Sequence, residues 1–346
     1  MEGKPKSYLD TMKGAATSAY NKVKALNSVT KKKVHGVDLS TTEALQKAAT
    51  KPLYPIYVLP VENLEKLDSL VHHEEALARG LLREIKPNGE NGSAGTFTVF
   101  KTGANGTTGE VSNEFQWKYT DNLVVFSHRW IRPSLDPLKS HPDSEDGIKL
   151  RAIKNVIEKQ KEIWTEMQGF EAPLYIWMDY LCVPQRDREK QKKAILSIPA
   201  YFRQSCKFIA LADDEESFKT YLTRGWCRLE VISSRIPMPY GGQWYIPAQQ
   251  HVFFMNDGTS KELDWDHFAN PIDGDLTDES DREYIGSLML YFSEEMTRFK
   301  NLDKGDVYYQ HGEREFLLPE HIPDEVVEKM RKYASNNSRK TQQPGN

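Results

Sequence analysis

"LVVFSHRW", residues 123–130, sets the architecture. Four apolar residues run without a break and then give way to Ser127, His128, Arg129 and Trp130. An unalternating apolar run of this length reads as a strand covered on both faces, the kind found in parallel sheets. Three segments downstream repeat the theme: "LYIWMDYLCVP" (174–184), "KFIALA" (207–212) and "HVFFMN" (251–256). Helical patterns alternate with them. One runs from Ile148 to about Met167, with Leu150, Ile153, Val156, Ile157, Ile163 and Trp164 on one face and Asp146 as its expected N-cap. "KKAILSIPAYFRQS" (192–205) is a second, kinked or split by Pro199. "GWCRLEVISSR" (225–235) is a third, stopped by Pro237 and Pro239, and "DREYIGSLMLYFSEEMTRF" (281–299) closes the series.

This alternation predicts an α/β fold with a flavodoxin-like, doubly wound parallel sheet. Ligands of such sheets sit beyond the carboxyl ends of the strands, so the polar strand ends are the informative residues. Ser127, His128, Arg129 and Trp130 end the first strand, and Asp179 lies near the end of the second. His128 and Arg129 suit a pyrophosphate, and Trp130 suits stacking on a ring. Asp179 suits ribose hydroxyls. The plainer alternatives are loop anchoring for the first four and capping of a turn for Asp179.

Upstream, "YPIYVLP" (54–60) reads as a strand, and 61–82 as a leucine-spaced helix. "TFTVF" (96–100) and "EFQWKY" (114–119) read as a long-looped hairpin. One helix and one hairpin bury too little to fold alone, so 51–120 is expected to pack on the core as an α+β extension. Residues 1–50 form a basic tail; 121–300 form the α/β domain; 301–346 are a C-terminal extension, with the polar "NNSRKTQQPGN" (336–346) expected to be disordered. The lysine-rich N-terminus is either a tail or a helix lying on an anionic membrane surface; its thin, alanine-rich apolar face speaks for the tail.

The chain has 346 residues, a formal net charge of −4 and 28% charged residues, which excludes a general nucleic-acid binder. Three widely spaced cysteines, Cys182, Cys206 and Cys227, make neither a disulfide framework nor a zinc pattern. A reducing, cytoplasmic setting is expected, with no secretory signal and no membrane span. His141, Asp143, Glu145 and Asp146 lack the loop a calcium site needs, so no metal is expected. Neither GxGxxG nor GxxxxGK[ST] occurs.

The ordered set "VVFSHRW", "IWMDYLCVP", "SIPAYFRQSCKFIALA" and "GWCRLE" resembles a Toll/interleukin receptor (TIR) domain over about residues 121–300. Ser127 and Arg129, Ser205 and Cys206, and Trp226, Cys227 and Glu230 carry the resemblance. The chain departs from the family at "HRWIRP", in its longer proline-rich loop, and at "CVPQRD", where a glycine-containing loop usually stands. In TIR members that cleave NAD at the nicotinamide–ribose bond, the glutamate of this helix is catalytic, and the resemblance puts that role on Glu230. NAD or a related nucleotide is then a substrate, and no cofactor is needed. Nicotinamide leaves without a strong general acid, so one carboxylate beside the developing ribosyl cation suffices. Trp226 either lines that pocket or anchors the helix in the core, and Cys227 reads as a small buried hydrophobe. TIR domains also act by self-association. A non-catalytic signalling module in immunity is therefore the second expectation, and a nucleoside base-exchange enzyme the third.

Overall fold

The computed structural model describes residues 52–85, 123–132, 140–168, 174–203, 205–240, 249–279, 281–302 and 322–340, with short pieces at 33–34, 37–38, 49, 99–102, 108–111, 243–245 and 307–308. The sequence reading of residues 1–32 lies outside them.

The main sheet is built from β1 (Ile56–Pro60), β2 (Arg83–Ile85), β3 (Leu123–His128), β4 (Tyr175–Met178), β5 (Lys207–Ala212), β6 (Gln249–Phe254) and β7 (Ser260–Glu262). Their order across the sheet is β7-β6-β5-β3-β4-β1-β2. The inner four, β6, β5, β3 and β4, are mutually parallel. The outer three pair antiparallel. The fold is therefore α/β with a mixed, mostly parallel sheet. All six residues of β3 are buried, as its unbroken apolar run requires.

The helices are α1 (His73–Ala78), α2 (Ile148–Gln168), α3 (Asp179–Cys182), α4 (Arg188–Arg203), α5 (Glu215–Tyr221), α6 (Gly225–Ser233), α7 (Asp281–Lys300) and α8 (Asp324–Lys340). From β3 the chain passes through α2 to β4 on one side. From β4 it passes through α4 to β5 on the other side of β3. The connections from neighbouring strands thus part between β3 and β5, and the carboxyl ends of these strands are where ligands of open α/β sheets bind.

Two apolar clusters hold these layers. One packs helices on the sheet and includes Phe126, Ile176, Trp177, Phe202, Phe208 and Phe218. The other joins α7 and α8 through Tyr284, Leu288, Phe292, Val326 and Met330. Helix α6 belongs to both. Cys227 and Val231 enter the first cluster, and Leu229 and Ile232 the second. Arg203 of α4 and Glu295 of α7 form a fully buried ion pair at 2.7 Å. Arg203 also donates to the carbonyl of Pro237 at 2.7 Å, and Tyr291 donates its hydroxyl hydrogen to Glu295.

Several local expectations change. Residues 61–82 are not one helix: a 3-10 turn over Val61–Lys66 precedes α1, which His72 caps by accepting from the Glu75 amide. Leu64, Leu67 and Leu70 are all buried, a spacing of three that a 3-10 turn and an extended segment satisfy as well as an α-helix does. The upstream hairpin pairs Val99–Thr102 with Thr108–Val111, tighter than expected, and 114–119 lies outside the described residues. Asp143, not Asp146, caps α2: its carboxylate accepts from the amides of Ser144, Lys149 and Leu150 at 2.8, 2.8 and 2.9 Å. Asp143 is buried, while Asp146 is exposed and pairs with Arg151. Helix α4 runs on through Pro199. Helix α8 reaches Lys340, so the start of the expected disordered tail is helical. Val326, Val327 and Met330 anchor it, and once nucleated a helix extends at one hydrogen bond per residue. No helix among the described residues is long and apolar enough to cross a membrane.

Candidate active site

Ser127 is the penultimate residue of β3, paired with Ala210 of β5 at the parting of the connections. Its hydroxyl donates a short hydrogen bond to the Glu230 carboxyl. It lies 2.6 Å from the Tyr221 hydroxyl, which completes the group from the end of α5. Ser127 and Tyr221 are buried, whereas Glu230 keeps part of its surface accessible. Burial pushes the Glu230 carboxyl up to about 8. The Ser127 bond and the Arg224 charge oppose this, and the negative charge of Asp179 adds to it.

The position of Glu230 depends on how α6 begins. The Gly225 amide donates to the Asp275 carbonyl at 3.0 Å, bringing Gly225 against Gly274. A Cβ on Gly274 would lie 2.4 Å from the Gly225 nitrogen, with only backbone to yield. Gly274→Ala is therefore expected to cost about 1–3 kcal/mol, the usual range for overpacking. Urea denaturation checks this: the midpoint should fall with the slope unchanged.

A second group stands beside the first. Strand β4 ends at Met178, earlier than its apolar run suggested, and Asp179 opens the single turn α3. The Asp179 carboxylate accepts from His128 Nε2 at 2.8 Å, Trp130 Nε1 at 3.1 Å and the Tyr180 amide at 2.6 Å. Burial alone would raise its pKa, but the His128 interaction and these donors hold it below the usual carboxylate range. Behind His128 lies Lys149, from the first turn of α2, almost fully buried. Its ammonium is 3.0 Å from His128 Nδ1 and donates to the Arg129 carbonyl at 2.5 Å. Burial lowers Lys149 to about 8, against the pull of Asp179, Asp143 and Asp213. Burial and the Lys149 charge lower His128 as well, outweighing Asp179.

Ser127 is thus joined to Glu230 and Tyr221, and His128 and Trp130 are joined to Asp179, all near the carboxyl end of β3. The Arg129 side chain is exposed, and its carbonyl serves Lys149. Trp226 turns away: its indole donates to Asp281 at 2.9 Å and packs near Tyr284 of α7, the anchoring role of its two readings. Burial raises Cys227 well above the ordinary thiol range and Cys182 to about 12, so both stay thiols. Tyr221 and Lys149 escaped the sequence reading. Tyr221 carries no motif, and Lys149 looks like an ordinary helix-surface lysine.

The pKa values of the two carboxyl groups are driven apart, Glu230 upward and Asp179 downward, and the charge of Asp179 is felt at Glu230. Among the described residues no cluster of His, Cys, Asp and Glu could hold a metal ion. A shallow groove elsewhere, lined by Arg151, Lys154, Asn155 and Met255, shares no residue with this cluster. Comparison with models of protein families, with curated proteins and with solved structures gives no match to this chain.

Proposed function

We infer that this protein is a TIR-like hydrolase that cleaves the nicotinamide–ribose bond of NAD or a related nucleotide, with Glu230 facing the ribose. The observation that carries this reading is Glu230, a partly accessible residue whose carboxyl pKa is raised by burial and which is bonded to Ser127 at the carboxyl end of β3. Numbered along the chain, the four parallel strands lie in the order 2-1-3-4, the order of flavodoxin-like sheets, which supports the resemblance. A carboxyl in such a place costs stability, so packing alone gives no reason for it.

In this mechanism the C1′–N1 bond breaks with its electron pair passing to the nicotinamide nitrogen. The Glu230 carboxylate stabilises the ribosyl cation, and Asp179 accepts hydrogen bonds from the ribose hydroxyls. Water then bonds to C1′ and releases its proton to Glu230 or to solvent. Arg129 and Arg224, both exposed, are placed to meet phosphates.

Glu230 must be ionised to act, and its pKa in the free protein is about 8. The kcat/KM for nicotinamide release should therefore rise about tenfold per pH unit up to that value and then level. A profile flat between pH 6 and 9 would count against the role. The direct test incubates purified protein with NAD across a range of protein concentrations, since TIR domains also self-associate, and measures free nicotinamide chromatographically. Exchange with an added free base in place of hydrolysis would favour the base-exchange reading. No release at any concentration would leave the interaction module.

A further inference from the structure

We propose that Lys149 is a positioning residue: its buried side chain shares one proton with His128, and the pair locks Asp179 as an oriented acceptor for a vicinal diol. The active-site reading gives this arrangement its purpose, but the arrangement itself is measurable without turnover.

The geometry fixes the protons. Ionised Asp179 can only accept, so His128 Nε2, at 2.8 Å, carries a hydrogen. On the other side of the ring, Lys149 Nζ is 3.0 Å from Nδ1. The Arg129 carbonyl also lies near Nδ1, at 3.2 Å, but Lys149 is closer to the ring nitrogen and itself donates to that carbonyl. An ammonium only donates, so a charged Lys149 favours a bare Nδ1 and a neutral ring. Were His128 charged as well, two cations would face each other at that distance, both excluded from water: Lys149 is 1% exposed, and so is the His128 side chain. The pair therefore carries a single positive charge, on the lysine in the resting state. The ionisable groups around it are Asp143 ahead of α2, Asp179 of α3, Asp213 beyond β5 and Cys227 of α6. Of these, Asp179 alone contacts His128.

The consequence falls on Asp179. Oδ1 takes the His128 and Tyr180 donors, and Oδ2 takes Trp130. Held at both oxygens, the carboxylate cannot rotate. Its side chain is still 35% exposed, so acceptor capacity remains for a ligand. Adjacent hydroxyls on a five-membered sugar ring are the ligand chemistry that fits a fixed, singly charged acceptor of this kind.

The test is nitrogen-15 NMR of the His128 ring in the full chain, assigned through its own backbone. In the wild type the ring should be neutral, with Nε2 protonated and Nδ1 bare, and should not titrate between pH 5.5 and 7.5. In Lys149→Met the opposing cation is gone while burial and Asp179 remain, so the titration of His128 should move to higher pH than in the wild type. Lys149→Arg, which keeps the charge, should restore the wild-type behaviour. With NAD, Lys149→Met should raise KM roughly ten- to hundredfold, the worth of one hydrogen bond to a charged group, and Lys149→Arg much less. A wild-type ring with hydrogen on Nδ1 in place of Nε2, or a His128 unchanged by Lys149→Met, overturns the proposal. The wild-type measurement needs no substitution, so a variant that fails to fold leaves the test intact. If the NMR result holds and wild type releases no nicotinamide, the hydrolase reading falls and the shared proton stands.

Discussion

Glu230→Gln should abolish turnover and at the same time make the protein more stable at alkaline pH. The first effect follows from removing a charge needed chiefly in the transition state. Such a loss lowers kcat more than it raises KM and is worth about a hundred- to thousandfold. The second follows from linkage. The folded-state pKa of Glu230 is about 8, above its ordinary value of 4.5. Between those values the native state holds a proton that the unfolded chain has released. Stability therefore falls as pH rises through this window and is lowest above it. Each pKa unit corresponds to about 1.4 kcal/mol, so ionising this one carboxyl removes several kcal/mol. Glutamine keeps the shape and has nothing to ionise. Urea denaturation of both proteins at pH 5 and pH 9 checks the claim: the variant's advantage should appear only at the higher pH. Equal pH dependence in the two would mean that Glu230 is solvated and not the buried acid described here.

Arg203→Met should be the more damaging change to the fold. Arg203 and Glu295 are both excluded from solvent, and the pair joins α4 to α7. Removing one partner leaves a charge or a forced protonation in an apolar cluster, typically at a cost of about 3–5 kcal/mol. Burial raises the Glu295 pKa even with the arginine in place. The double change Arg203→Met with Glu295→Gln should recover much of the loss, because no uncompensated charge remains. Thermal melts of the single and the double variant beside wild type distinguish the cases. A single variant within about 1 kcal/mol of wild type would place the pair near the surface, where ion pairs contribute little.

The parallel core was legible because its signals are continuous. "LVVF", "YIWM", "FIALA" and "VFF" each lack the alternation of a one-sided sheet, and each is an inner strand. What failed was punctuation. Asp179 ends β4 because its side chain takes the amide of Tyr180, yet in the sequence it sits inside an apolar run. Asp146 and Asp143 both precede α2, and only burial distinguishes the one that caps it. The candidate site divided in the same way. Ser127, His128, Trp130, Asp179 and Glu230 were readable from strand ends and a motif. Lys149 and Tyr221 owe their places to tertiary packing, which no local pattern encodes.

Helix α6 is largely enclosed: from Gly225 to Ser233 only Trp226, Arg228 and Glu230 are even partly accessible. Inheritance acts on such a segment from several directions. Gly225 answers to the backbone of Gly274, Cys227 and Val231 to the sheet, Leu229 and Ile232 to α7 and α8, and Trp226 to Asp281. A descendant that had lost all activity would still be obliged to keep most of these letters, because folding alone demands them. Glu230 is the exception: its burial weakens the fold, and glutamine would relieve it. In a lineage released from the chemistry, this residue would be among the first to drift while the letters around it stayed.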